Sequence, residues 1–209
     1  MPQTQPAPAY LAADAVIDWH DPAVLAKARE LAADAPNQTE VARRCFEFVR
    51  DGIRHSWDFR QNPVTCAASA VLRHGTGYCY AKSHLLAALL RANGIPAGLC
   101  YQRLAVGDSG PPYCLHGLNA VWLDDHGWYR VDARGNKPGV DARFTPPIER
   151  LAFALHDRLE ADLPEIWAEP LPLVVRALTR YATVEEVAAN LPDVVLLPTG
   201  TRRPAMSDS

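Results

Sequence analysis

The sequence predicts an α+β fold in which one apolar helix packs on an antiparallel sheet and further helices flank this core on both sides. Three observations support this prediction. Two helical patterns lie before residue 52, an apolar helix follows a glycine-punctuated loop at 75–77, and three consecutive strand patterns come after that helix. Helices and strands are grouped along the chain and do not alternate as they do around a parallel sheet.

The first two helices have recognisable start signals. Asp21 suits the N-cap of a helix over residues 22–35. Asn37 lies three residues before Glu40, which is the spacing of a capping box, at the start of a helix over 37–50. The remaining predicted elements are, in chain order, an extended piece at 53–59, a short helix at 67–73, the central helix at 81–92, strands at 97–104, 116–123 and 128–132, and helices at 147–160 and 173–190.

The last two strands are predicted to form a hairpin, and the parity of its loop determines where two polar side chains point. With a two-residue loop, His116 and Asp132 would lie on opposite faces of the sheet. With a three-residue loop at Asp124–His126, Asp132 lies opposite Leu118 and diagonal to His116, about 7–8 Å away on the same face. Gly127 suits the left-handed position that ends such a loop. A site that needs both side chains therefore predicts the three-residue loop.

Length and composition predict a single soluble domain. Of the 209 residues, 1–9 are expected to be a disordered segment, 10–198 one domain with its core at about 40–140, and 199–209 a flexible tail. A net charge of −3 gives no reason to expect a nucleic-acid partner. No apolar run approaches the roughly 20 residues of a membrane helix. The sequence does not indicate an oligomeric state.

The cysteines and the N-terminus favour a cytoplasmic protein. The first eight residues have neither the basic region nor the apolar stretch of a secretory signal. Five cysteines, without the spacing of a small disulfide scaffold, favour free thiols in a reducing compartment, although an odd count leaves one disulfide possible. Cys45 lies on the apolar stripe of its helix and is expected in the core.

Cys79 is the leading candidate for a catalytic residue. It lies where the glycine loop runs into the central helix, and a helix N-terminus favours the thiolate form of a cysteine. His116 would accept the thiol proton and later protonate a leaving amine, and Asp132 would orient the imidazole. The backbone N–H of Cys79 is one candidate donor to an oxyanion, and the indole N–H of Trp57 is a second.

Three segments resemble the transglutaminase-like superfamily, and they match in the order Cys, His, Asp. They are Gly77-Tyr78-Cys79, His116-Gly117-Leu118-Asn119-Ala120 and Trp128-Tyr129-Arg130-Val131-Asp132. The resemblance covers residues 40–140 and implies a papain-like core, with Cys79 as nucleophile, His116 as base and Asp132 as orienting acid. Gly94-Ile95-Pro96-Ala97-Gly98 and Asp132-Ala133-Arg134-Gly135-Asn136-Lys137 resemble a compact bacterial branch of the superfamily, many of whose members look like cysteine proteases or amidases.

Further residues are candidates for binding substrate or an oxyanion because they lie near the proposed triad in the sequence or on its strands. They are Trp57, Tyr78, Gln102, Arg134 and Asn136. His55 and His74 flank the Cys79 region in the sequence and could line a cleft, but a structural role is the expectation for both. No cofactor is expected, and no metal. The chain lacks the clustered carboxylates of a calcium loop, and Cys100, Cys114 and His116 lack the paired spacing of a zinc knuckle.

Three functions agree with these residues. The first is cysteine-dependent hydrolysis of a peptide, protein or small amide through a thioester. The second keeps the same nucleophile but transfers the acyl group to an amine, and the choice between the two depends on whether the cleft admits water. The third is a non-catalytic peptide-binding module that uses the same cleft.

Overall fold

The computed structural model describes residues 6–107 and 109–196, and its elements confirm the predicted α+β class. In chain order they are a 3-10 turn at Pro8–Leu11, α1 at Pro22–Ala32, α2 at Gln38–Glu47, a π-helical turn at Phe48–Gly52, β1 at Arg54–His55, α3 at Ser56–Phe59, α4 at Ala68–His74, β2 at Thr76–Gly77, α5 at Cys79–Ala92, β3 at Ala97–Ala105, β4 at Tyr113–Leu123, β5 at Gly127–Val131, β6 at Ala161–Asp162, α6 at Pro172–Arg180 and α7 at Val184–Ala188.

Helix α5 is the centre of the core. Its residues from Cys79 to Arg91 are all buried, which is the pattern of a helix covered on every side. Strands β3 and β4 pack on one side of it, and α1, α2 and α4 contact it as well. The apolar sequence of this segment is therefore explained by its place between the sheet and the other helices.

The main sheet is antiparallel, with strand order β5-β4-β3-β6. A separate parallel pair joins β1 to β2 and places His55 opposite Gly77, two residues before the start of α5. This short pair brings the segment around residue 55 to the N-terminal end of the central helix.

The β4–β5 hairpin has the three-residue loop that the sequence predicts. Leu123 pairs with Gly127, and Gly127 has a φ of 76°, in the left-handed region that suits glycine. Continuing this register by one residue beyond the Asn119–Val131 pair places Asp132 opposite Leu118. Asp132 is therefore diagonal to His116 on the same face of the sheet.

Several local predictions are confirmed. The Asp21 side chain accepts hydrogen bonds from the first turn of α1, and Asn37 accepts one from the backbone N–H of Glu40 at 2.9 Å. Glu40 does not return the bond of a capping box, because its carboxylate pairs with two arginines of its own helix. All five cysteines lie within the described residues and are free, and Cys45 is fully buried.

The prediction of a helix at 147–160 is wrong. The chain at 147–160 is irregular, and the next element is the strand β6 at Ala161–Asp162. Its backbone groups bond elsewhere: the N–H of Ala152 donates to Asp132, and that of His156 donates to Glu160. Side-chain carboxylates have replaced, for these two N–H groups, the carbonyls that a helix would use.

Two other elements differ from expectation. The extended piece at 53–59 is a strand for two residues only, because its partner β2 ends where the chain turns into α5, and the helical turn α3 follows. The helix at 173–190 is divided into α6 and α7, because Thr183 and Glu186 form a capping box that begins a new helix.

The predicted terminal segments fall partly outside the described residues. Residues 8 and 9, expected to be disordered, belong to the 3-10 turn, whereas residues 1–5 and the tail at 199–209 lie outside. Within the described ranges, none of the helices has the length and apolar character needed to cross a membrane.

Candidate active site

The nucleophile candidate lies at the first residue of α5, as the sequence predicts. Tyr78 is the N-cap and provides no side-chain hydrogen bond to the helix. The first N–H groups of a helix have no partner within it, and the helix dipole is positive at this end. Cys79 is therefore surrounded by backbone groups that favour negative charge on its sulfur or on a bound oxygen.

His116 and Asp132 form a buried pair. The Nε2 atom of His116 lies 2.7 Å from Oδ2 of Asp132, and the Asp132 side chain is fully buried. The Asp132 carboxylate also accepts the backbone N–H groups of Arg134 and Ala152, each at 3.1 Å. Burial opposes ionisation of Asp132, but His116 and these two donors outweigh it and lower its pKa.

The Cys79 thiol lies beside the strand segment that carries His116, since its sulfur is 3.5 Å from the backbone nitrogen of Gly117 and both side chains line one cleft. Because Nε2 is bound to Asp132, Nδ1 is the ring nitrogen left free to exchange a proton with the thiol. Burial favours the neutral ring, but the charges of Asp132 and Cys79 outweigh it and raise the pKa of His116 to about 10. A histidine held by a buried carboxylate beside a cysteine at a helix start is the arrangement that nucleophilic catalysis by a thiol requires.

Gly117 makes this meeting possible. A Cβ built on Gly117 would lie 2.9 Å from Cδ1 and 3.0 Å from Cα of Tyr80, so any larger residue would push the start of α5 away from β4. The close contact leaves the N–H of Gly117 3.5 Å from the Cys79 sulfur. The residue after His116 therefore fixes the distance between helix and strand.

A cleft with a volume of about 780 Å³ opens over the Cys79–His116 pair. Of the five further candidate residues, Trp57, Tyr78 and Arg134 line it. The Tyr78 hydroxyl donates to the carbonyl of Val184 at 2.6 Å, so its polar atom is held by α7. Trp57 has the guanidinium of Arg60 stacked 3.3 Å from its ring centre.

Gln102 and Asn136 lie outside this cleft, contrary to expectation. The Gln102 side chain donates to Asp162 of β6 at 2.9 Å, and Asn136 exchanges two hydrogen bonds with the backbone of Ala142. Gln102 does pair with His116 across the sheet, but β6 covers it. Both side chains are used in holding the fold.

The cleft also contains polar residues that the sequence did not single out as functional. His55, which was expected to be structural, lines it together with Lys137, Glu160 and His156. Lys137 could have been found, because it ends the segment Asp132–Lys137 on which the family resemblance depends. Glu160 and His156 gave no signal, because they lie in the segment predicted to be helical.

An ion-pair network borders one side of the cleft. Asp58 accepts Arg134 at 2.8 Å and Lys137 at 2.8 Å, and its pKa is lowered to about 2, because these two cations outweigh the opposing effect of burial. His55 lies 3.8 Å from the same carboxylate. Burial, reinforced by the charge of Arg134, lowers the pKa of His55, so this imidazole is neutral at pH 7.

Comparison with known proteins finds one family model and several similar solved structures. The sequence profile of the transglutaminase-like superfamily matches residues 26–133, which is more than half of the chain. Similar solved structures include a candidate cysteine protease from Cytophaga hutchinsonii, with 17% identity and a TM-score of 0.48 over 60% of this chain and 40% of that one.

The periplasmic domain of TgpA from Pseudomonas aeruginosa is also similar, with 20% identity and a TM-score of 0.46 over 59% of this chain and 45% of that one. The chain thus spans less than half the length of either structure. No curated protein sequence matches the chain.

Proposed function

The chain belongs to the transglutaminase-like superfamily, and from that premise we propose that it hydrolyses an amide or peptide bond through a thioester formed on Cys79. The observation that carries the proposal is the buried His116–Asp132 hydrogen bond beside Cys79, whose sulfur at the start of α5 lies 3.5 Å from the backbone nitrogen of Gly117, the residue after His116. A binding module has no need of an ionised, fully buried carboxylate behind a histidine, because burial of such a charge is costly.

The first half of the reaction forms the acyl-enzyme. The Cys79 thiolate attacks the carbonyl carbon of the substrate, and the C–S bond forms as the carbonyl oxygen becomes an oxyanion. The backbone N–H of Cys79 donates to this oxygen, with the Trp57 indole as the candidate second donor. The His116 imidazolium then gives its proton to the leaving amine, the C–N bond breaks, and a thioester remains.

The second half returns the enzyme to its starting state. Neutral His116 takes a proton from a water molecule, the hydroxide oxygen bonds to the thioester carbon, and the C–S bond breaks. The products are a carboxylic acid and the thiolate–imidazolium pair. Throughout, the Asp132 carboxylate holds the ring by its Nε2 atom and stabilises the imidazolium.

The proposal is tested by trapping the acyl group and identifying the acceptor. Purified protein is incubated with a peptide library in water enriched in oxygen-18, with and without added glycine ethyl ester, and the products are analysed by mass spectrometry. Hydrolysis places one labelled oxygen in the new carboxylic acid. If the amine product dominates at modest amine concentration, the protein is an acyltransferase and hydrolysis is overturned.

Two variants separate the nucleophile from the other thiol of the cleft. Cys79→Ala should abolish turnover while leaving the fold intact. Cys114→Ala is the matched control, because Cys114 also lines the cleft, two residues before His116 on β4. Turnover that survives Cys79→Ala, or an acyl group found on Cys114, contradicts the mechanism. Peptide binding without any acylation would favour the binding module.

A further inference from the structure

Beside Cys79 the cleft carries a set of basic side chains that the mechanism above does not use. His55, Arg134 and Lys137 all line the cleft, and all three approach the carboxylate of Asp58. We call these three side chains the basic group. Their position beside the nucleophile raises the question of what they bind.

The ion pairs of the basic group do not cancel its charge. Arg134 and Lys137 are two cations, and Asp58 is one carboxylate. Among residues 6–107 and 109–196, no second carboxylate lies within ion-pair distance of either cation. One positive charge is therefore left over on a wall of the cleft, where water is partly displaced and charge interactions are stronger than on an open surface.

The group also has polar atoms whose hydrogen-bonding capacity is unused. The Lys137 ammonium has three N–H groups and gives one to Asp58, and the side chain is 42% exposed. Arg134 is almost buried and is held by both oxygens of Asp58. The Nδ1 atom of His55 is buried and has no hydrogen-bond partner in the described part of the chain. Such an atom is costly to leave unpaired.

The basic group is fixed relative to the reacting atoms. Arg134 follows Asp132 by two residues, and its backbone N–H donates to Oδ1 of that carboxylate at 3.1 Å. Its guanidinium also lies over the ring of Phe153, which in turn packs edge-on against His116 at 5.0 Å. An anion held by this group would therefore have a defined position relative to the scissile bond.

We propose that the basic group binds a carboxylate of the substrate, so that the preferred substrates carry a free carboxylate close to the amide that Cys79 attacks. This inference rests on the proposed function and adds a substrate class to it. Lys137 makes the direct contact, because it is the exposed member with free donors. Asp58 holds Lys137 in place, and Arg134 holds both oxygens of Asp58. Because the charge of Arg134 offsets that of Asp58, the charge of Lys137 remains available to an anion.

The test uses two alkylating reagents that differ only in a carboxylate. N-iodoacetylglycine carries the anion, and N-iodoacetylglycinamide is its neutral match. Alkylation rates at Cys79 are measured by peptide mapping, and each is divided by the rate with 2-mercaptoethanol, an uncharged thiol, which corrects for the intrinsic reactivity of the reagent. The ratio of the two normalised rates reports recognition of the carboxylate without requiring turnover.

The wild-type ratio is expected to exceed one. Lys137→Gln should lower this ratio about two- to fivefold, the range of an exposed ion pair. Lys137→Glu should bring the ratio of the two normalised rates below one, because the new carboxylate repels the anionic reagent. The matched control is Arg143→Gln, which removes an exposed, ion-paired cation outside the cleft and should leave the ratio at the wild-type value. Circular dichroism and thermal melting verify that each variant is folded.

The outcomes separate this inference from the proposed function. If Cys79 reacts readily with the neutral reagent but the ratio is the same in wild type and Lys137→Gln, the basic group is only a structural ion-pair network and the inference is overturned. If Cys79 reacts with neither reagent, the nucleophile is not active, and both proposals fail together.

Discussion

Replacing Gly117 by alanine tests whether the close contact between β4 and the start of α5 is what brings the Cys79 thiol to His116. The added Cβ would lie 3.0 Å from Cα and 3.2 Å from N of Tyr80. Both are backbone atoms of the first turn of α5, so the conflict cannot be relieved by rotating a side chain. The helix start and the strand must move apart.

The size of the effect follows from these distances. Carbon atoms pack best at about 3.5–4.0 Å, so relief requires a shift of about 0.5–1 Å. Overpacking of this kind costs about 1–3 kcal/mol, and the smaller backbone entropy of alanine in the unfolded chain returns about 0.4–1 kcal/mol. A misplacement of about 1 Å between reacting groups can lower the rate on the order of 10²-fold. Gly117→Ala should therefore reduce the reaction rate strongly while the protein remains folded.

Two measurements check this prediction, with a second glycine variant as control. Urea unfolding gives the free energy of unfolding, and iodoacetamide alkylation gives the reactivity of Cys79. Gly98→Ala is the control, because its Cβ would meet Ile166 and the carbonyl of Trp167 and not α5. It should lose stability but keep the wild-type reactivity. If Gly117→Ala keeps the reactivity as well, the contact does not position the thiol.

Three further predictions concern the polar residues around the site. Asp132→Asn should lower the pKa of His116, which the carboxylate raises in the wild type, and should reduce kcat/KM on the order of 10²–10⁴-fold. NMR of the imidazole measures the pKa and steady-state kinetics measure kcat/KM; an unchanged titration of His116 would contradict its assignment as the partner of Asp132. Burial lowers the pKa of Lys82 to about 7, so between about pH 7 and 10 this side chain is protonated in the unfolded chain but neutral in the folded protein. Because the unfolded state binds the extra proton, Lys82 makes the free energy of unfolding rise with pH across this range. Lys82→Met should flatten that rise in urea titrations across this range. Tyr78→Phe should cost about 1 kcal/mol of stability in the same assay, because the carbonyl of Val184 loses its 2.6 Å hydrogen bond.

The parts of the site that could be predicted from the sequence depend on short-range rules. The period of two along a strand, together with a glycine in the left-handed position, is enough to place Asp132 on the His116 face. The glycine loop followed by an apolar helix is enough to place Cys79 at a helix start. Both inferences need only the residues between one turn and the next, and both are confirmed.

The parts that could not be predicted depend on residues far apart in the chain. Gln102 shares a sheet face with His116, yet Asp162 covers it from β6, a strand of two residues with no sequence pattern of its own. His55 reaches the cleft through its pairing with Gly77. The Asp58 network joins side chains more than 70 positions apart, and neither periodicity nor capping signals report such contacts.

The failed helix prediction at 147–160 has a physical explanation within the site itself. In a helix the N–H of Ala152 would bond to a neutral carbonyl four residues earlier. In the structure it donates to the Asp132 carboxylate, and the next residue, Phe153, packs its ring edge-on against His116. Hydrogen bonds to an ionised acceptor are roughly twice as strong as those between neutral groups. The buried carboxylate therefore competes successfully for a donor that helix formation would use. The irregular backbone of this segment is a consequence of burying a charge behind the histidine.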